Sequence, residues 1–180
     1  MDRNLLKMIN LAVLVTFAVV IHTVEAALPL PMPVPGVRLG LANMITLLTL
    51  SLYGVRSGLV VAVLRTVLGS LIGGTFLGFG FWLGLSGGLL STAVMALALG
   101  AAKRGYLTLI SVSVLGAAAH NIAQITVAAG VIGSAALWRG YLPLLLLLAV
   151  PTGFFTGLAA FYLEGVTRRV LRQAGGAGAV

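Results

Sequence analysis

The sequence predicts an all-α integral membrane protein, a bundle of six transmembrane helices. Three observations predict it. Sixty percent of the 180 residues are hydrophobic and only 8% are charged, more apolar surface than a soluble chain of this size can hide. The apolar residues fall into runs of about 20, the length a helix needs to cross the hydrocarbon core. Lys and Arg gather at alternate ends of those runs, as the positive-inside rule requires.

The first run, 5–27, follows Arg3 and Lys7 and ends in Val24-Glu25-Ala26, superficially a signal-peptide cleavage site. Its length, and His22 and Glu25 ahead of the supposed cut, favour a retained span. Leu28 to Gly36 alternates proline with apolar residues, so it runs extended and polyproline-like. It reads either as a cap on the outer face or as a stiff connector. The second run, 38–54, is the shortest, with Gly40 and Gly54 near its ends. The third covers 56–76, the fourth 81–101 and the fifth 107–133. The sixth, 141–166, contains Pro143 and Pro151, each of which removes a helical hydrogen bond and invites a kink. Residues 1–172 thus form one transmembrane domain, and the Gly/Ala-rich tail 173–180 reads as disordered.

Arg3, Lys7, Arg56, Lys103, Arg104, Arg168, Arg169 and Arg172 fall at one side of these runs, and only Arg38 and Arg139 at the other. That split predicts an even number of crossings of the cell membrane with both termini cytoplasmic. The net charge of +8 therefore reads as a topology signal. No aromatic-interleaved basic patch accompanies it, so nucleic acid is not an expected partner. The absence of cysteine excludes disulfides and thiolate chemistry.

Small residues recur four apart, as in Gly69/Gly73, Gly74/Gly78, Gly80/Gly84, Gly84/Gly88, Ala98/Ala102 and Gly153/Gly157. Such pairs let helix backbones approach closely. Glycines are densest between Gly69 and Gly88, which predicts tight packing or close backbone approach to a ligand there.

The polar residues inside these runs carry the functional signal. Arg65 lies near the middle of the third run, where an unpaired guanidinium costs several kcal/mol, so it requires a partner, a wet cavity or an anionic ligand. The alternative to a ligand is an internal salt bridge with Glu25. His120 and Gln124 share a face of the fifth run with Asn121 beside them, either as interhelical glue or as a polar binding wall. Asn43 and His22 add donors and acceptors, and Arg38 places a cation at the outer mouth. Glu164, one turn before Arg168, reads as half of a solvated surface pair. No residues have metal-ligand spacing, and no cofactor is expected. Neither a carboxylate pair for magnesium-assisted prenyl transfer nor a nucleophile motif is present, so the chain does not read as an enzyme.

Several blocks resemble a known family. They are Pro35-Gly-Val-Arg-Leu-Gly-Leu-Ala-Asn-Met-Ile-Thr-Leu-Leu47, Leu64-Arg-Thr-Val-Leu-Gly-Ser-Leu-Ile-Gly-Gly-Thr-Phe76, Ser86-Gly-Gly-Leu-Leu-Ser91 and Val112-Ser-Val-Leu-Gly-Ala-Ala-Ala-His-Asn-Ile-Ala-Gln124. Over nearly the whole chain they resemble the Gx transporter family, also labelled heptaprenyl diphosphate synthase component I. That family is similar to the substrate-binding S-components of energy-coupling-factor vitamin transporters. The likeness implies a six-helix bundle with an outward-facing cavity, capped by the loop after the first helix. It also implies docking on a transmembrane coupling subunit with ATPases. The paired alanines through which S-components commonly dock are not reproduced, since Ala12 is followed four residues later by Thr16. The synthase label implies instead an auxiliary membrane role in making the isoprenoid chain of menaquinone.

The expectation is a membrane transport component that binds a small anionic or phosphorylated substrate, vitamin-like, flavin-like or an isoprenoid diphosphate. Arg65, Asn43, His120, Asn121 and Gln124 line its cavity, with Arg38 and Glu25 near the mouth. The alternative is a non-catalytic membrane accessory subunit of a prenyl diphosphate synthase. The lipid bilayer is a partner under either reading.

Overall fold

The computed structural model describes residues 3–28 and 38–176, with side chains for 4–28 and 38–171. The proline-rich stretch therefore lies outside the described residues except for Leu28, as do the last four residues of the tail. All regular structure among the described residues is helical: α1 (Arg3–Ala27), α2 (Asn43–Tyr53), α3 (Val55–Ile72), α4 (Phe79–Lys103), α5 (Leu109–Ile132) and α6 (Ala135–Gly176). Five of the six are long and apolar enough to cross a membrane. The outlier is α2, whose 11 residues rise about 16 Å, half of a roughly 30 Å hydrocarbon core.

The apolar run expected over 38–54 thus becomes a helix only from Asn43. Arg38 to Ala42 stay outside it because other elements have taken their backbone groups. The Gly40 and Leu41 N–H groups donate to the Glu25 carboxylate at 2.6 and 3.1 Å, and the Arg38 N–H donates to Gln124 Oε1 at 3.0 Å. Gly40 itself has φ +80°, a backbone conformation that interrupts a helix at no steric cost only for glycine. Irregular backbone at membrane depth is tolerated when protein groups satisfy it in this way.

The short helix is also the central one. α2 packs against all five other helices, and Asn43, Ile45, Thr46, Leu47, Leu48, Thr49 and Leu50 are buried. A single residue, Gly54, separates it from α3 and reverses the chain with φ +83°. Around α2, the chain forms two packed groups, α1 against α3, and α5 between α4 and α6, joined by α3 on α4. The Gly153/Gly157 pair is a true packing motif. A Cβ on Gly153 would stand 2.6 Å from the Val114 Cα, and one on Gly157 2.8 Å from the Ile110 Cα. Only bare backbone lets α6 lie this close to α5, and Ser113 Oγ and Thr156 Oγ1 join there at 2.9 Å. α6 continues as one helix through Pro143 and Pro151. Val13, Phe17, Val20 and Val24 of α1 stay exposed, as a lipid-facing surface requires.

Candidate functional site

Three apolar clusters surround a polar interior. They are built on Leu83, Ile125 and Leu145; on Leu47, Met95 and Val112; and on Leu14, Ile45 and Val61. Between them, His22, Glu25, Arg38, Asn43, Arg65, His120, Asn121 and Gln124 are all at most 8% exposed.

Arg65 comes from the middle of α3 and is the largest of the fully enclosed side chains. Its Nη2 donates to Asn43 Oδ1 at 2.6 Å, at the first residue of α2. Arg38 belongs to the irregular segment before α2. Its Nη1 donates to the His22 imidazole of α1, and its backbone N–H is held by Gln124 of α5. Because Gln124 Oε1 is the acceptor for that N–H, its amide nitrogen is the donor to His120 Nε2, at 2.7 Å. The His120 proton then resides on Nδ1. A continuous chain therefore runs His22–Arg38–Gln124–His120 across the bundle, with the Asn43–Arg65 pair beside it.

Arg38, expected near the outer mouth, is 8% exposed and held by His22 and Gln124. One sequence expectation changes here: Glu25 does not form a salt bridge with Arg65. Its oxygens are committed to the Gly40 and Leu41 N–H groups, and the ion pair within 4 Å among the described residues is Arg168–Glu164 at 2.6 Å. Glu164 itself is more than half of a surface pair, because it also accepts from Ser51 Oγ at 2.6 Å and so ties α6 to α2. Asn121 turns away from the chain of polar groups and donates to the Leu145 carbonyl of α6 at 2.6 Å.

The floor of this interior is glycine. A Cβ on Gly87 would come within 2.7 Å of the His120 ring, one on Gly69 within 2.5 Å of the His22 ring, and one on Gly40 within 2.8 Å of Asn43 Nδ2. On α4, Gly84 lies under Arg38 Nη1 at 3.6 Å and Gly88 under Arg65 Nη2 at 3.2 Å, again measured to an added Cβ. Gly84 and Gly88 are one turn apart, so the two guanidiniums sit over positions separated by about 6 Å along the helix. Gly69, Gly84 and Gly88 carry the four-residue spacing that predicts close helix packing or close backbone approach to a ligand. What approaches α4 at Gly84, Gly87 and Gly88 is a set of cations and an imidazole, which spacing alone does not reveal. His22 was visible as a polar residue in an apolar run, but its role as the partner of Arg38 was not.

Some of this polarity is unspent. Among the described residues, Arg65 Nε and Asn43 Nδ2 are buried without a hydrogen-bond partner, as is the acceptor Asn121 Oδ1, while His120 Nδ1 lies against the Gly87 backbone. A buried group left unpaired in this way costs about 1–3 kcal/mol. Two guanidiniums face one carboxylate, so the ionised interior carries excess positive charge, and Arg65 Nε and Asn43 Nδ2 are donors left over. Such a site suits an acceptor-rich anion. Among the described residues, no group of three His, Cys, Asp or Glu side chains stands together in a way that holds a metal ion.

A family model described as heptaprenyl diphosphate synthase component I matches residues 14–163, the region that contains every residue of this interior. No curated protein and no solved structure matches the chain.

Proposed function

The chain belongs to the heptaprenyl diphosphate synthase component I family, and we propose that it is the membrane component of a prenyl diphosphate synthase, with a receptor for a small phosphorylated group inside its bundle. It is a multi-pass helical membrane protein and not itself an enzyme. Its three carboxylates are Asp2, Glu25 and Glu164. Glu25 is committed to backbone N–H groups and Glu164 to Ser51 and Arg168, which leaves no pair to hold the magnesium that prenyl transfer needs. Catalysis then belongs to a separate subunit, which docks on the cytoplasmic, basic face of the bundle in the cell membrane.

The observation that carries the receptor is the unmatched pair of buried guanidiniums over Gly84 and Gly88, with the unpaired donors Arg65 Nε and Asn43 Nδ2 around them. Set about one helical turn apart, the two guanidiniums can flank a compact phosphoryl group or diphosphate and each offer a bidentate fork to its oxygens. Arg65, Asn43, His120, Gln124 and Arg38 form the receptor, Glu25 fixes the backbone that carries Arg38, and Asn121 secures α5 to α6.

One observation favours a second reading, a substrate-binding component of a transporter. The irregular segment 38–42, buried within the bundle beside the start of α2, is the kind of interruption from which membrane transporters build mid-bilayer sites.

Native mass spectrometry of the protein purified from its own membranes in mild detergent tests the proposal. The expected result is co-purification of a soluble prenyltransferase, and a bundle that takes up one inorganic pyrophosphate and loses that capacity on Arg65→Lys. Recovery of ATPase subunits with a vitamin-like ligand, and no prenyltransferase, reverses the two readings.

A further inference from the structure

A second feature lies outside this polar interior. α1 and α6 both pack on α2 but not on each other, and because α2 is short, a groove stays open between the three helices. It holds about 340 Å³, at the lower end of the range of about 300–1,000 Å³ for small-molecule sites. Its walls are apolar, with Leu14, Phe17, Ile45, Leu48, Leu163 and Val166 among them. From Asn10 to Ile21 it follows α1 for about 16 Å.

The groove is not uniformly apolar. Asn10 and Tyr53 line it at one end, where the Asn10 amide and the Tyr53 hydroxyl sit against each other with their polar atoms buried. At that same end, Lys7 lies one turn before Asn10 on the same stripe of α1, and Arg169 adjoins the groove residue Val170 on α6. Both cations are exposed, and neither is within ion-pair distance of a carboxylate among the described residues. Two lysine or arginine charges beside a buried amide–hydroxyl pair, at one end of an apolar groove, suit an amphipath: one apolar chain with a compact, anionic, acceptor-rich head.

We propose that this groove binds a prenyl diphosphate, with its chain between α1, α2 and α6 and its diphosphate held by Lys7, Arg169, Asn10 and Tyr53. A groove of about 340 Å³ drawn out along about 16 Å of helix suits a single chain better than the paired chains of a phospholipid, and any length beyond Ile21 continues into the bilayer. The groove opens at the basic end of the bundle, so a catalytic subunit docked there can hand over its product without exposing the chain to water. This inference rests on the reading of the chain as a synthase component, and it concerns a site separate from the Arg65 receptor.

The test is photo-crosslinking of the full-length protein, in phosphatidylcholine nanodiscs, with benzophenone-tagged geranylgeranyl diphosphate. Crosslinks are expected in 10–21 of α1 and 163–170 of α6, competed by unlabelled geranylgeranyl diphosphate but not by geranylgeraniol, which lacks the diphosphate. Val13→Trp fills the groove from its half-exposed side and should abolish labelling. Val60→Trp, at a similarly exposed position on α3, should leave it intact. Reversing both charges with Lys7→Glu and Arg169→Glu should weaken competition by about tenfold or more.

Labelling that survives Val13→Trp, that geranylgeraniol competes equally, or that maps to another face overturns the proposal. So does a dimer in nanodiscs whose interface buries the groove. If a prenyltransferase co-purifies but the probe does not bind, the groove proposal fails alone. If the probe binds and no prenyltransferase is found, the synthase reading fails and the groove stands.

Discussion

Glu25→Ala tests what holds the irregular segment inside the bundle. Glu25 is 3% exposed, and its two oxygens accept from the Gly40 and Leu41 N–H groups at 2.6 and 3.1 Å. Removing the carboxylate leaves two buried donors unpaired, each at about 1–3 kcal/mol, so opening of segment 38–42 becomes easier by about 2–6 kcal/mol in all. Even the lower bound corresponds to a roughly 30-fold rise in amide exchange. Hydrogen exchange of the segment in detergent or nanodiscs reads this directly, because local opening is what exchange reports. Glu25→Gln keeps one acceptor oxygen and turns the other into a donor facing an N–H, so about half the effect remains. Exchange at Gly40 and Leu41 should rise well above any change in the middle of α5. If Glu25→Ala leaves both exchange and thermal stability unchanged, Glu25 does not hold the segment, and the account of why α2 starts at Asn43 fails.

Other outcomes follow from the same geometry. Gly153→Ala places a methyl group 2.6 Å from the Val114 Cα and should destabilise the bundle by about 1–3 kcal/mol, whereas a Cβ at Gly165 meets nothing within 4 Å, so Gly165→Ala should be neutral or stabilising; paired melts in one detergent decide it. Ser113→Ala should cost only about 0.6 kcal/mol, the usual worth of a side-chain bond between membrane helices, and a double-mutant cycle with Thr156→Val should return that coupling. Gly88→Ala crowds Arg65 Nη2 from 3.2 Å and should reduce pyrophosphate binding measured by calorimetry while the melting temperature shifts little; unaltered binding would place the anion elsewhere.

Most of the architecture was legible because lipid leaves few choices. A run of about 20 apolar residues has to satisfy its backbone internally, and a helix does so without help from elsewhere. That is why α1, α3, α4, α5 and α6 can be read from composition. The start of α2 could not be, because the partners of its preceding N–H groups are Glu25 and Gln124, which are 15 and 86 residues away from the positions they serve. Arg65, His120 and Gln124 stood out in the sequence because each interrupts an apolar run. Arg38 reads from the sequence as a cation near the mouth, and its burial depends on tertiary contact with His22 and Gln124, which the sequence does not show. The small-residue pattern was the least decisive signal. The same spacing brings two backbones together at Gly153 and Gly157 but receives guanidiniums at Gly84 and Gly88.

The energetics of that interior point toward an occupant. A buried ion pair is weak support for stability even when matched, since apolar side chains of similar volume often do as well. Here the charges are unmatched, two guanidiniums to one carboxylate, and Arg65 Nε and Asn43 Nδ2 add about 1–3 kcal/mol each in unpaired donors. Two such penalties are a large share of the whole stability of a typical domain, about 5–15 kcal/mol. Water admitted to the interior satisfies the donors but leaves the excess charge uncompensated in a low dielectric. An anion removes both costs at once, and each residue that makes the empty interior expensive then becomes a source of affinity.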